Sequence, residues 1–219
     1  LRLYLLFFGA HAGQMGQAFL DNSKQLDQAL PVHARTLITQ LGGSSIQTFC
    51  FNTNVLDALS CKILRLYLDA KHTQSNKKQT SMQNDLRVTI SSHTLCELIG
   101  LDAWNTLISF FKGTFDLIKM RRVVGHIKGL SVMFHVDNAS KKTMQVALHD
   151  ESSIEGGKLV FVNARGFHQP ARPLGSATTH TYSLVHGVTA LTRGVRYGLF
   201  LCDTQCCNTS TFPQKMQPG

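Results

Sequence analysis

The chain has 219 residues, 43% of them hydrophobic and 16% charged, which suits one large core or a core domain with an extension and is too long for a disulfide-stapled mini-protein. No uninterrupted apolar run approaches the roughly 18 residues of a bilayer span, and collagen-like or disordered compositions are excluded as well. The formal charge of +9, from 22 Lys/Arg against 13 Asp/Glu, is diffuse and contains no basic block, so it fits attraction for small anions as well as a nucleic-acid face.

The opening LRLYLLFFGAHA is faintly similar to the apolar part of a signal peptide ending at Ala10-His11-Ala12, but it lacks the usual basic start, so a buried strand or helix is the favoured reading. The Leu at position 1 suggests a fragment or processed form. Ser23 to Leu41 and Asn54 to Ala70 read as helices: Leu56, Leu59, Ile63, Leu66 and Tyr67 fall on a three/four spacing, with Asn54 as a candidate cap. Lys71 to Ser81 is polar without periodicity and reads as a linker. Leu86 to Ile90 then reads as a strand. Leu101 to Lys112 reads as a helix whose Leu101, Trp104, Leu107, Ile108 and Phe111 form one apolar stripe closed by Gly113.

From residue 117 the pattern changes to short segments with frequent turn signals: 117–124, 130–137, 142–149, 158–163, 180–190 and 195–202. Six strands without long helices between them indicate an antiparallel sandwich or barrel. Glu155-Gly156-Gly157 marks a tight connection, and Thr192-Arg193-Gly194 a hairpin turn.

Cys50, Cys61, Cys96, Cys202, Cys206 and Cys207 contain no CxxC pair. The last three cluster, and free thiols are favoured there over a disulfide or a metal site. Sequons occur at Asn138 and Asn208. A glycan on Asn138 would crowd the candidate site described next, which slightly favours a cytoplasmic over a secretory location.

The chemistry concentrates in Phe134-His135-Val136-Asp137-Asn138. On a strand, residues two apart share a face, so His135 and Asp137 present an imidazole and a carboxylate side by side. His186, in a downstream strand, is a candidate third ligand. Two histidines and one carboxylate occupy one face of an octahedral ferrous ion and leave three positions open. Structural zinc would want more thiolate or imidazole ligands, and Ca²⁺ or Mg²⁺ more oxygens. Arg196 lies ten residues after His186, across the hairpin turn, and alternation places it on one face with Gly198, Phe200 and Cys202. A guanidinium facing a barrel interior needs an anion, and a carboxylate held bidentately supplies one.

Taken together, the HxD at 135–137, Glu155 to Phe161, Pro173 and Gly175, and His186-Gly187-Val188 followed by Gly194-Val195-Arg196-Tyr197 resemble the 2-oxoglutarate- and Fe(II)-dependent dioxygenases, nearest to their prolyl 4-hydroxylase-like branch. The resemblance covers about residues 117–203. It implies a mainly β fold with flanking helices and a double-stranded β-helix (jelly-roll) core. It implies Fe(II) held by His135, Asp137 and His186, 2-oxoglutarate held at its far carboxylate by Arg196, O2 as oxidant, and ascorbate as an optional reductant. The domains it implies are 81–205 for the dioxygenase core, with 1–80 a helical N-terminal region of no assigned role and 206–219 a tail.

The implied activity is hydroxylation of a protein or peptide residue, foremost proline, with release of succinate and CO2. The alternatives are a small-molecule hydroxylase of the same superfamily and a noncatalytic jelly-roll binding module. The branch acting on collagen-type proline usually carries Lys where Arg196 stands, which puts that substrate in doubt. The nucleic-acid demethylase branch continues R-x-N-x-T-x-R after the distal His. Here Gly198, Phe200 and Cys202 break that pattern, so nucleic acid is disfavoured as a substrate.

Other positions read more plainly. Either Thr143, Gln145 and Ala147 or Met144, Val146 and Leu148 line the cavity, and alternation alone leaves both sets open. Arg121 and Arg122 read as surface or ion-paired residues ahead of substrate contacts. His126, His149, His168 and His180 read as hydrogen-bonded or surface histidines, and Tyr197 as packing on the outer face.

Overall fold

The structure is a computed structural model; it describes residues 20, 30–76, 84–126 and 129–204. Its helices are α1 (Leu30–Leu41), α2 (Ala58–Asn76), α3 (Ser92–Ile99) and α4 (Leu101–Phe111). Its strands are β1 (Cys50–Asn52), β2 (Asp85–Ile90), β3 (Leu117–Val124), β4 (Leu130–His135), β5 (Lys142–Ala147), β6 (Glu155–Gly156), β7 (Leu159–Asn163), β8 (Gly166–His168), β9 (Ala177–Thr181), β10 (Val185–Arg193) and β11 (Val195–Asp203). All the strand pairings are antiparallel. They form a six-stranded sheet in the order β1-β9-β5-β11-β3-β2 and a smaller sheet in the order β4-β10-β7-β8, with β6 added to β10. Two facing antiparallel sheets in this order are the double-stranded β-helix, flanked by helices.

Strand alternation decides what each face of the large sheet does. Met120, Met144, Val146, Leu199 and Leu201 point outward into one apolar cluster with Leu64 and Leu68 of α2, Leu95 and Ile99 of α3, and Leu107 and Phe111 of α4. The other face of the same strands, carrying Thr143, Gln145 and Arg196, turns into the space between the sheets. Helix α1 covers the small sheet through Ala34, Leu37 and Ile38, packed on Val160, Val162 and Val185. Among the described residues no helix is long and apolar enough to cross a membrane.

Several boundaries differ from the sequence reading, each for a local reason. Helix α2 begins at Ala58, capped by Asp57, whose carboxylate accepts the Ser60 amide at 2.6 Å. Asn54 stands outside the helix with φ 55°, so it is not the cap. The helix also runs on to Asn76, through the first part of the expected linker. The expected strand 180–190 is two strands, because Leu184 turns back to donate its amide to the Thr181 carbonyl at 3.3 Å. Helix α3, capped by the Ser91 hydroxyl accepting the Thr94 amide, lies in a stretch too short for its periodicity to stand out. The three-residue β1, 50–52, extends the large sheet by pairing with β9. Residues 1–19, Cys206, Cys207 and Asn208 lie outside the described residues. Cys50, Cys61, Cys96 and Cys202 are free thiols.

The Glu155-Gly156-Gly157 connection requires glycine at its centre. Gly156 has φ 72°, and a Cβ there would sit 1.8 Å from the Ala190 carbonyl oxygen. Gly42 has a similar φ of 68° but open space around it. Gly156→Ala should therefore lower unfolding free energy beyond the roughly 1–3 kcal/mol of positive-φ strain alone, and Gly42→Ala should stay within that range. Chemical denaturation of the two variants side by side checks this; equal losses would show that β6 yields to the added methyl group.

Candidate metal centre

In the small sheet, His135 at the end of β4 stands directly opposite His186 on β10. Residues 51 positions apart in sequence thereby become cross-strand neighbours, with ring centroids 4.3 Å apart. Asp137 follows in the turn beyond β4. That turn is held where the Asp137 amide donates to the Tyr182 carbonyl at 3.1 Å and the Ser140 amide donates to the Asp137 carbonyl at 3.2 Å. His135 Nε2 and His186 Nε2 each lie 3.7 Å from Asp137 Oδ1. One ligand atom from each of the three side chains falls within 4.8 Å of the others. Donor atoms gathered this closely form a set that could hold one metal ion.

The hydrogen bonds behind these atoms fix their chemistry. His135 Nδ1 lies 2.8 Å from the Met133 carbonyl, and His186 Nδ1 lies 3.0 Å from the Leu184 carbonyl. A carbonyl only accepts, so both rings carry their proton on Nδ1 and keep the Nε2 lone pair for a ligand bond. Asp137 Oδ2 accepts from the Thr143 hydroxyl at 2.7 Å and from His180 Nε2 at 3.2 Å. Oδ1 remains for a cation.

The electrostatics agree with this arrangement. Burial alone would raise the Asp137 carboxyl pKa, but the His180 hydrogen bond, the electrostatic influence of the adjoining His186 and His180 rings, and the Thr143 hydroxyl hold it well below the usual carboxylate range. His186 is pulled down to about 3 by burial and then by the neighbouring His180. The site is therefore ready to bind a cation near neutral pH, with its carboxylate ionised and its imidazole neutral.

These groups open on a cavity of about 580 Å³ between the sheets. Thr143 and Gln145 line it, though the third member of their set, Ala147, does not, while Met144, Val146 and Leu148 belong to the outer core, which decides between the two sets left open by alternation. Arg196, Phe200 and Cys202 line it from β11, Leu159 and Val188 from the small sheet, and Arg87, Lys119 and Arg121 from β2 and β3. Arg196 is buried, 6% exposed, and makes no hydrogen bond or close ion pair among the described residues. Burial, followed by the like charges of Arg172 and Arg121, pulls its pKa down to about 9. The acids on this side are already engaged: Asp85 by Arg121 at 2.7 Å and Arg87 at 2.9 Å, and Glu151 by Lys158 at 3.3 Å. A cation left in this state inside a cavity fits an anionic ligand.

The remaining candidates separate cleanly. Arg121 reaches the cavity. Arg122, one residue on, faces away and binds Asp69 of α2 at 2.7 Å, where the Tyr197 hydroxyl also donates at 2.9 Å. His168 meets Asn163 at 2.8 Å, and His149 meets the Tyr197 main chain at 2.9 Å. The parts of the site that the sequence did not disclose are the two holders of Asp137 Oδ2, Thr143 and His180. Alternation along β5 narrowed Thr143 to one of two faces, but no spacing rule reaches from β9 to the HxD turn.

No model of a known protein family matches the sequence. A PKHD-type hydroxylase of Klebsiella pneumoniae is 35% identical over 79 residues, and the match spans 31% of this chain and 35% of that relative. Among solved structures, a prolyl hydroxylase of Trichoplax adhaerens, in complex with a hypoxia-inducible-factor oxygen-degradation-domain peptide fragment, has a TM-score of 0.55 at 17% identity, covering 84% of this chain and 94% of that one. A prolyl-4-hydroxylase of Pseudomonas putida has a TM-score of 0.52 at 13% identity, covering 78% and 98%. These likenesses, with the strand order above, give the chain the fold of the 2-oxoglutarate/Fe(II) oxygenases. Within that class its resemblance is to the prolyl 4-hydroxylase-like branch.

The buried neutral histidines also set a pH dependence. His149 is pulled down to about 4, chiefly by burial and then by the Arg196 charge. An unfolded histidine takes up a proton near pH 6.5, so below that pH the unfolded state binds more protons than the folded one. Stability of the metal-free protein should thus be full above about pH 6.5 and fall progressively towards pH 4. His149→Gln should flatten that slope by up to about 1.4 kcal/mol per pH unit, read from denaturant midpoints across the range. An unchanged slope would mean that His149 titrates alike in both states.

Proposed function

We propose that this protein is an Fe(II)- and 2-oxoglutarate-dependent dioxygenase that hydroxylates a residue of a protein or peptide, foremost proline. The observation that carries the reading is the convergence of two Nε2 lone pairs and the Asp137 carboxylate on a cavity that also holds Arg196, which has no close ion pair among the described residues. His135, Asp137 and His186 would hold the iron by one face, the donor set suited to Fe(II) with open positions. When bound, iron with 2-oxoglutarate and O2 supplies the oxidation that turns a substrate C–H bond into C–OH, with succinate and CO2 released.

The chain's own residues bind, orient and shield. Arg196 offers its planar fork to the far carboxylate of 2-oxoglutarate, and the ion pair formed there removes the penalty of a desolvated cation. Phe200, Leu159 and Val188 give the cavity an apolar wall that keeps bulk water from the reacting end. At about 580 Å³ the cavity holds more than a five-carbon diacid and leaves room for a substrate side chain. The peptide carried by the Trichoplax enzyme and the prolyl hydroxylase likenesses support a peptidyl substrate. Arg196, in place of the Lys usual for collagen-type substrates, argues for a different peptide. A cytoplasmic setting suits Asn138, whose sequon sits against the metal site.

The test is incubation with Fe(II), 2-oxoglutarate, ascorbate and panels of proline peptides and metabolites, followed by succinate assay and a mass search for one added oxygen. Oxygen gained by a metabolite and by no peptide would favour the small-molecule reading, and absence of succinate under all conditions would favour a binding module. Alkylated oligonucleotides should emerge unchanged.

Replacing His135, Asp137 or His186 by Ala, or adding a chelator, should abolish succinate formation while the fold persists. A variant that still turned over would remove its residue from the ligand set. Arg196→Ala should raise the 2-oxoglutarate requirement at least about tenfold, as expected for loss of a charge-assisted pair worth about 1.5–3 kcal/mol, and Arg196→Lys should retain part of the binding. A flat response across both would point to another lining cation, Arg121 or Lys119.

A further inference from the structure

We propose that His180 is a positioning residue for the metal centre: with Thr143 it occupies Asp137 Oδ2, so that the carboxylate presents Oδ1 alone to the ion. The inference rests on the metal reading above and concerns a residue outside the ligand set. His180 on β9 stands opposite Thr143 on β5 in the large sheet, whereas His135 and His186 belong to the small one. Asp137, in the turn after β4, is therefore gripped from the facing sheet at Oδ2, by Thr143 at 2.7 Å and His180 at 3.2 Å, while Oδ1 faces the two ligand histidines at 3.7 Å. A carboxylate free to turn could close both oxygens on one ion and take a position that the chemistry needs open. Occupying Oδ2 prevents that rotation.

The surroundings of His180 show that this contact has a cost for folding. Its side chain is fully buried between Phe161, whose ring lies 5.3 Å away edge-on, and His186 at 4.5 Å. Oδ2 can only accept, so His180 donates from Nε2, and its buried Nδ1 is left with no hydrogen-bond partner among the described residues. A buried acceptor without a donor is destabilising, and an apolar side chain of similar size would suit the position better for folding alone. Among the described residues the one hydrogen bond of this imidazole goes to the candidate ligand.

Co(II), whose visible absorption reports its coordination, is the probe, added to the full chain as wild type, His180→Leu and His180→Gln. Wild type should bind one Co(II). His180→Leu should bind it about 10- to 100-fold more weakly with an altered absorption band, the loss typical of removing a partner behind a ligand, while its metal-free unfolding midpoint should not fall. His180→Gln, whose amide can donate to Oδ2, should recover affinity and band at least in part. An unaltered affinity and spectrum in His180→Leu would overturn the proposal. So would an affinity loss that follows a fall in the metal-free midpoint and is not restored by Gln, because that pattern belongs to packing. Failure of wild type itself to bind Co(II) would overturn the metal reading first, and the role of His180 with it.

Discussion

The ladder between β4 and β10 sets the position of the two candidate ligand histidines. Antiparallel pairing places His186 across from His135, and because neighbouring strands lie about 4.8 Å apart, two rings on one face of such a pair are brought within reach of a shared ion. A slip of one residue would send one imidazole to the outer face and dissolve the pair. The register is held from outside the site: β10 pairs along its other edge with β7 from Val185–Val162 to Val188–Leu159, and the outward side chains Val160, Val162 and Val185 are locked beneath α1. The packing of an otherwise unremarkable helix thus transmits to the geometry of the ligands.

The large sheet makes the complementary contribution. Its outer face is apolar and covered by α2, α3 and α4, so its inner face is free to be polar, carrying Thr143, Gln145, His180 and Arg196 into the interior. Arg196 and His180 are both costly there for folding. The arginine lacks a close ion pair among the described residues, and the histidine lacks a partner for one nitrogen. The arginine faces the space where a diacid would sit, and the histidine backs the carboxylate that would hold a metal, which is where a chain selected for chemistry tolerates incomplete satisfaction.

Much of this was legible in the sequence because it depends on short periods. The face shared by Arg196, Phe200 and Cys202, the Trp104, Leu107 and Phe111 part of the α4 stripe and the glycines at 156 and 194 follow from local geometry, and the structure places them accordingly. Leu101 of the expected stripe is exposed instead, and HxD is not a strand pair, since β4 ends at His135 and Asp137 lies in the turn after it. The resemblance carried by those residues points to the fold that the structural likenesses show. Illegible were the features set by long-range contact: the turn at Tyr182 to Leu184 that splits one expected strand into two, the edge strand β1, and the approach of His180 to Asp137 across the sandwich. His180 reads in sequence as one polar residue among the threonines of β9, and its significance exists only once the two sheets face each other. Arg121 and Arg122 make the same point, since adjacent positions on β3 send one guanidinium to the cavity and its neighbour to Asp69 of α2.

On this reading, one ion site and one carboxylate-binding cation would serve a single ligand in a single cavity. Calorimetric titration of 2-oxoglutarate into the full chain under anaerobic conditions, with and without one equivalent of Fe(II), tests it most directly. One molecule should bind per chain, far more tightly with the metal than without it, because the ligand then reaches both the ion and Arg196 at once. Binding of equal strength in the two titrations, or none in either, would contradict it.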